Sequence, residues 1–145
     1  MLKVEKEITI AAGPERVWQA WTTEISKWWV GPYFIDKQRA TGLVIEPHVG
    51  GRFMEIWGDQ GSDYLIGNVV EWLPPRRFAY TWMEKSWAGV ATVVWVEFDA
   101  EEQGTRVKVI HEGFDRLPDG AAQRSGYEAG LTDLLGKLKA YVEAG

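Results

Sequence analysis

Apolar and polar residues alternate from the start of the chain, with Leu2, Val4, Ile8 and Ile10 set against Lys3, Glu5, Glu7 and Thr9 and the register blurred only at Lys6. A period of two is that of a strand with one buried face, so the first element is predicted to be a strand. Gly13-Pro14 stops it. Pro14 suits the first turn of a helix, where its missing N–H is no loss, and Glu15 suits the positive end of the helix dipole. Val17 and Trp21 then stand one turn apart, with Trp18 beside them, which predicts a helix ending near Thr22 or Thr23. Ile25, Trp28 and Trp29 make a second short amphipathic piece that closes at Gly31-Pro32.

The next eighty or so residues read as successive strands. Leu43-Val44-Ile45 precedes Pro47, and Gly50-Gly51 turns the chain into Arg52 to Trp57. A turn at Asp59-Gln60-Gly61-Ser62-Asp63 leads to Tyr64 through Trp72, which Pro74-Pro75 ends. Phe78, Tyr80 and Trp82 alternate with Ala79, Thr81 and Met83, and Val90, Thr92, Val94, Val96 and Phe98 form another period-two face. Glu101-Glu102-Gln103-Gly104 returns the chain to Val107, Val109 and His111. Turns this short join neighbours, so the strands are expected to form an antiparallel meander.

The period then changes. Tyr127, Leu131, Leu134, Leu138 and Tyr141 recur at helical spacing, which predicts a long amphipathic helix starting near Asp119-Gly120. Gly126, Gly130 and Gly136 inside it each cost roughly 1 kcal/mol against Ala, so they are expected either to let a sheet come close or to leave space above one. No repeat, linker or low-complexity tract divides the sequence. Residues 1–145 therefore read as one α+β domain: a curved antiparallel sheet of about seven strands wrapped on a long C-terminal helix, with two short helices after the first strand. Such a sheet cannot close on a helix along its whole length, so a cavity between them is expected.

Composition sharpens that picture. Nine tryptophans occur beside no cysteine and two histidines. Indoles bury large apolar areas, while side chains for nucleophilic or metal chemistry are nearly lacking, so a ring-lined interior that holds a ligand is expected over one that transforms it. A net charge of -5 removes the attraction needed for nucleic acid or anionic lipid. The first residues lack the apolar stretch of a signal peptide, and the run from Val90 to Val96 is too short to cross a bilayer. The chain is thus expected to be cytoplasmic and free of disulfides, with neither membrane insertion nor a nucleic-acid partner.

Candidate chemistry is sparse. No serine lies in a Gly-x-Ser-x-Gly setting, two histidines give no metal-ligand spacing, and Gly136-Lys137 falls inside a predicted helix, which excludes a P-loop. No catalytic residue, metal site or cofactor is therefore expected. His48, after Pro47, belongs in a solvated turn. His111 shares the alternation of Val107 and Val109 and should point inward, as a core histidine or as a polar anchor whose charge could titrate near neutral pH. Glu55 alternates with Phe53 and Trp57, yet Met54 and Ile56 are apolar too. The favoured reading turns Met54 and Ile56 to the core and Glu55 to water; the other buries Glu55 as a possible acid or base. Apolar residues on both faces suggest a covered outer face, as in a homodimer. Ligand contacts are expected from Phe53, Glu55, Trp57, Tyr80, Trp82, Val94, His111, Phe114, Tyr127 and Leu131, with Trp28 and Trp29 at the mouth. Trp87, at a strand end, is expected at a loop tip that meets a partner.

Several strings in this order resemble the START-like (SRPBCC) superfamily, which has the helix-grip fold of the birch-pollen allergen. They are Gly13-Pro14-Glu15-Arg16-Val17-Trp18-Gln19-Ala20-Trp21-Thr22, the Trp28-Trp29 pair, Val49-Gly50-Gly51-Arg52-Phe53, and Gly67-Asn68-Val69-Val70-Glu71-Trp72-Leu73-Pro74-Pro75-Arg76-Arg77-Phe78. Tyr80-Thr81-Trp82, Gly104-Thr105-Arg106-Val107 and His111-Glu112-Gly113-Phe114 follow. The branch they resemble most is named for the activator of the heat-shock-protein-90 ATPase. Gly126-Tyr127 stands where relatives often carry Gly-Trp, a departure that keeps an aromatic ring. The resemblance implies the helix-grip fold and a choice of roles: binding lipids, hormones or polyketides, cyclising aromatic polyketides, or helping a chaperone. It implies no shared catalytic set. The leading expectation is non-catalytic binding of a small hydrophobic or amphipathic ligand. The alternatives are a polyketide cyclase- or hydrolase-like enzyme using Glu55 or His111, and a chaperone ATPase-activator-like interaction protein.

Overall fold

The structure is a computed structural model that describes residues 2–29, 31–58 and 63–145; residues 59–62 of the expected turn lie outside the described residues. Strand β1 is Lys3–Ile10, helix α1 is Pro14–Thr22, and short 3-10 turns follow at Ile25–Lys27 and Gly31–Tyr33. Six strands come next: β2 Ala40–Ile45, β3 Arg52–Trp57, β4 Tyr64–Leu73, β5 Arg77–Trp82, β6 Thr92–Glu101 and β7 Gly104–Glu112. Helix α2, Gly120–Glu143, ends the chain. Further 3-10 turns lie at Lys85–Trp87 and Phe114–Arg116.

The sheet has seven strands in the order β1-β7-β6-β5-β4-β3-β2, every pair antiparallel. A meander from β2 to β7 is what short turns produce, and β1 then pairs with the free edge of β7. Register breaks between Ala40 and Gly42, Phe53 and Met54, and Val69 and Glu71. Bulges bend a strand and raise its twist, so the β2–β4 half of the sheet curls. At Gly67 the bend brings backbones together: a Cβ there would sit 1.8 Å from the Thr81 carbonyl oxygen. Only glycine fits.

Two regions fill the concave side differently. At one end α1 inserts Trp18 and Trp21 among Phe78, Phe98 and Trp72, with edge-to-face ring contacts of 5.0–5.4 Å around Trp18. The C-terminal half of α2 buries Leu134, Leu135, Leu138 and Val142. Its N-terminal half does not seat in the same way, since Tyr127 and Leu131 are only partly buried.

Strand β3 faces opposite to the favoured expectation. Phe53, Glu55 and Trp57 point inward, and Met54 and Ile56 lie half-exposed on the outer face. Glu55 is fully buried. Its Oε1 accepts the Ile35 N–H at 2.5 Å, and its Oε2 accepts the Asp36 N–H and the Trp57 indole N–H, each at 2.8 Å. Three charge-assisted bonds offset the desolvation that would otherwise drive the carboxylate outward. On the outer face Met54 pairs with Val44 and Leu65 across the strands, and these last two are exposed.

Candidate functional site

Cross-strand register builds the floor of the site. Val4 faces His111 across β1 and β7, His111 faces Val94 on β6, and Val94 faces Tyr80 on β5. All four side chains line a hollow of about 460 Å³ between the sheet and the first half of α2. Trp21, Trp29 and Trp82 form walls, and Tyr127, Leu131 and Leu134 hang from the helix above. The segment Pro32–Ile35 closes one side.

The glycines of α2 make room for this arrangement. A Cβ at Gly126 would meet nothing within 4 Å, whereas one at Gly130 would rest 3.4 Å from the Tyr33 ring. Gly126 thus leaves space, and Gly130 seats Tyr33, whose hydroxyl donates to Asp133 on the same helix. The Trp29 indole N–H donates to the Tyr33 carbonyl at 3.1 Å. Together with the two Glu55 bonds to Ile35 and Asp36, these contacts hold the closing segment at both of its ends. Glu55 therefore shapes the hollow from behind.

Polar groups in the hollow are few. His111 Nε2 stands 2.6 Å from Thr92 Oγ1, and that hydroxyl donates to the Trp82 carbonyl at 3.2 Å. Thr92 Oγ1 thus links the imidazole to the Trp82 carbonyl, and Nδ1 of His111 keeps a hydrogen-bonding position outside this pair. Burial pushes the His111 pKa from its ordinary 6.5 down to about 3. That direction runs away from the neutral range the sequence allowed, and its cause is the desolvation an imidazolium would suffer there.

Glu84, between β5 and the Lys85–Trp87 turn, is the second polar group. The Tyr127 hydroxyl donates to its Oε2, and the Trp82 indole N–H donates to the Tyr127 oxygen at 2.7 Å. Burial raises the Glu84 pKa, and the nearby Trp82 N–H opposes that shift. The Trp21 indole N–H, 1% exposed as a residue, completes no hydrogen bond of good geometry, although it stands close enough to the Tyr80 hydroxyl to favour its ionised form against the burial that raises that pKa.

Of the residues singled out in the sequence, Trp29, Tyr80, Trp82, Val94, His111, Tyr127 and Leu131 come together on the wall. Phe53, Glu55, Trp57, Phe114 and Trp28 stand behind it. Phe53 packs edge-on against Tyr80 at 4.6 Å, and Phe114 lies 4.6 Å from the His111 ring. Trp28 sits against Trp21 and donates to the Ala20 carbonyl at 2.8 Å, which draws it inward from the mouth. Trp57 stacks on Tyr64. Trp87 is not at a loop tip: it is 3% exposed, with its ring 5.9 Å from that of Tyr127. A 3-10 turn ending in left-handed Ala88 folds it under the helix. His48 is exposed, its Nδ1 3.1 Å from the Val49 oxygen.

Val4, Trp21, Pro32–Ile35, Glu84 and Gln123 line the hollow without having been singled out. Val4 and Trp21 lay on faces already read as buried; nothing in the periodicity pointed to Glu84, which lies between β5 and the following turn, or to Gln123, in the first turn of α2. Among the described residues no cluster of three His, Asp or Glu side chains could hold a metal ion, and no helix is long and apolar enough to cross a membrane.

Residues 11–143 match the family model described as "Activator of Hsp90 ATPase homolog 1-like protein". No curated protein matches. Solved structures with the same fold include a protein from Mesorhizobium loti, 23% identical with a TM-score of 0.75 over 98% of this chain and 97% of that one. The AHSA1-like protein from Aeromonas hydrophila is 24% identical, with a TM-score of 0.70 over 98% of this chain and 92% of that one. DynU16, a protein in the dynemicin biosynthetic locus, is 20% identical with a TM-score of 0.72; the match covers 99% of this chain and 48% of that longer one.

Proposed function

This chain belongs to the Activator of Hsp90 ATPase homolog 1-like family, whose model spans nearly all of it, and from that premise we propose that it binds a small apolar or amphipathic molecule beneath α2 without transforming it. The observation that carries the reading is the hollow itself: about 460 Å³, walled by Trp, Tyr and Leu side chains, with very few polar groups. A ligand hiding roughly 300 Å² of apolar surface there would gain about 7 kcal/mol before ordering losses. One or two hydrogen bonds, to His111 Nδ1 or the Glu84 carboxylate, would set its orientation. That a fold neighbour lies in a biosynthetic locus agrees with a small-molecule role. A cysteine-free chain fits work in the cytoplasm.

An enzyme using Glu55 or His111 draws less support. Glu55 already accepts three hydrogen bonds and stands behind the wall, and His111, with a pKa near 3, is a weak base at neutral pH. The interaction reading loses Trp87, which is buried.

Titration of tryptophan fluorescence with neutral amphiphiles, alongside native mass spectrometry of freshly purified protein, tests the proposal. Quenching, thermal stabilisation or a retained mass is expected. Val94→Phe should weaken binding while leaving the circular dichroism spectrum unchanged. No response to any amphiphile, of any charge, would overturn the proposal.

A further inference from the structure

The charges around the hollow are one-sided. Glu84 is the one formally charged side chain among the described residues that line it, and burial disfavours the charged form of His111 on the same wall. Lys85, next in sequence, turns its ammonium 4.9 Å above the Trp57 ring and 5.6 Å from that of Tyr64. Arg39 lies over the same Trp57 ring at 4.1 Å. Neither lines the hollow. The influences on the Glu84 carboxylate are burial and the Trp82 N–H, with no Lys or Arg among them. Its Oε2 accepts a hydrogen bond from the Tyr127 hydroxyl, and the Trp82 indole N–H stands near the same carboxylate.

A half-buried carboxylate without a counter-charge has consequences for whatever enters. An anion would be desolvated next to a like charge, with no cation to compensate. A cation would gain an ion pair in a place screened from water. The same walls add to this, since Trp29, Trp82 and Tyr127 present indole and phenol rings whose negative π-faces attract ammonium groups. Trp29 and Trp82 lie 6.0 Å apart and Trp82 and Tyr127 6.1 Å apart, so the three rings form a run that ends at Glu84. The chain's net charge of -5 adds a long-range pull of the same sign.

We propose, resting on the binding reading above, that the hollow selects an amine: a primary or secondary ammonium that donates to the Glu84 carboxylate, with its apolar part lying along Trp29, Trp82 and Tyr127. Fatty acids and other anionic amphiphiles are disfavoured, and neutral alcohols fall between.

Decylamine, decanol and decanoic acid share one chain and differ in charge at neutral pH. Each is titrated below its micelle-forming concentration into the unaltered protein and into Glu84→Gln, followed by tryptophan fluorescence and calorimetry. Decylamine is expected to bind roughly tenfold more tightly than decanol, and decanoate most weakly. Glu84→Gln keeps an acceptor for Tyr127, and is expected to bring decylamine to within about twofold of decanol, with the loss for decylamine several times that for decanol. An amine no tighter than the alcohol, or decanoate tightest, overturns the inference and leaves the binding reading standing. A preference for the amine that survives in Glu84→Gln overturns it also. No response to any of the three counts against the binding reading itself. If Glu84→Gln does not fold, the ranking on the unaltered protein decides.

Discussion

Acid should unfold this protein in part through one side chain. His111 is 6% exposed, and burial holds its pKa near 3 in the fold against an ordinary 6.5 in the unfolded chain. Between those values the unfolded state binds a proton that the folded state refuses, so stability falls as pH falls. Above about pH 7.5 both states are neutral and protonation of His111 contributes nothing. Below 6.5 the loss approaches about 1.4 kcal/mol per pH unit, reaching about 2 kcal/mol at pH 5 and levelling off near pH 3 at roughly 5 kcal/mol. The measurement is urea unfolding at a series of pH values for the unaltered protein and for His111→Gln, which retains a hydrogen-bonding group for Thr92 but cannot take up a proton. Carboxylates titrate in both proteins and cancel in the difference. The stability gap should therefore change by about 2 kcal/mol in favour of the variant between pH 8 and pH 5. Imidazole NMR signals of His111 in the folded protein should stay at their neutral positions over the same range. Parallel stability curves, or a His111 signal that titrates near pH 6, would refute the reasoning.

Glu55→Ala strands three donors, the part-buried N–H groups of Ile35 and Asp36 and the buried Trp57 indole. It should cost at least about 3 kcal/mol in urea unfolding, and proteolysis should cut first near residues 31–36. Gly126→Ala adds a Cβ where nothing lies within 4 Å, so it should stabilise by about 1 kcal/mol and raise the Tm by a few degrees. Trp87→Ala empties a site under α2 and should destabilise by roughly 3–5 kcal/mol, whereas a loop-tip tryptophan would leave the Tm unchanged. Val94→Phe projects into the hollow, so its cost should stay below the roughly 1–3 kcal/mol of overpacking a filled core; a larger loss would mean that the space is not available.

Most elements were legible because their signals are local. A strand declares itself by a period of two and a helix by one of 3.6, and these depend on neighbours a few positions away. Hence β5 through Phe78, Tyr80 and Trp82, and α2 through Leu131, Leu134 and Leu138, lie where the pattern put them. The inward turn of His111 followed from the same alternation. The orientation of β3 did not. Met54 and Ile56 are as apolar as its inward residues, and the balance was tipped by three N–H donors, two of them from backbone about twenty positions upstream. Trp87 was misplaced for a related reason. A strand-end position says nothing about a helix forty residues later that folds over it.

What the sequence determined by itself was the order of elements, the faces of most of them, a ring-rich interior and the family resemblance that the structure then shared. Only the tertiary structure decided that seven of the twelve suggested residues share one wall, that Glu55 holds a segment in place, and that Glu84 is the one formally charged side chain among the described residues that line the hollow. Periodicity specifies which side of an element is apolar. The environment of a charge, and the gap left between a curved sheet and a helix, depend on groups that only folding brings together.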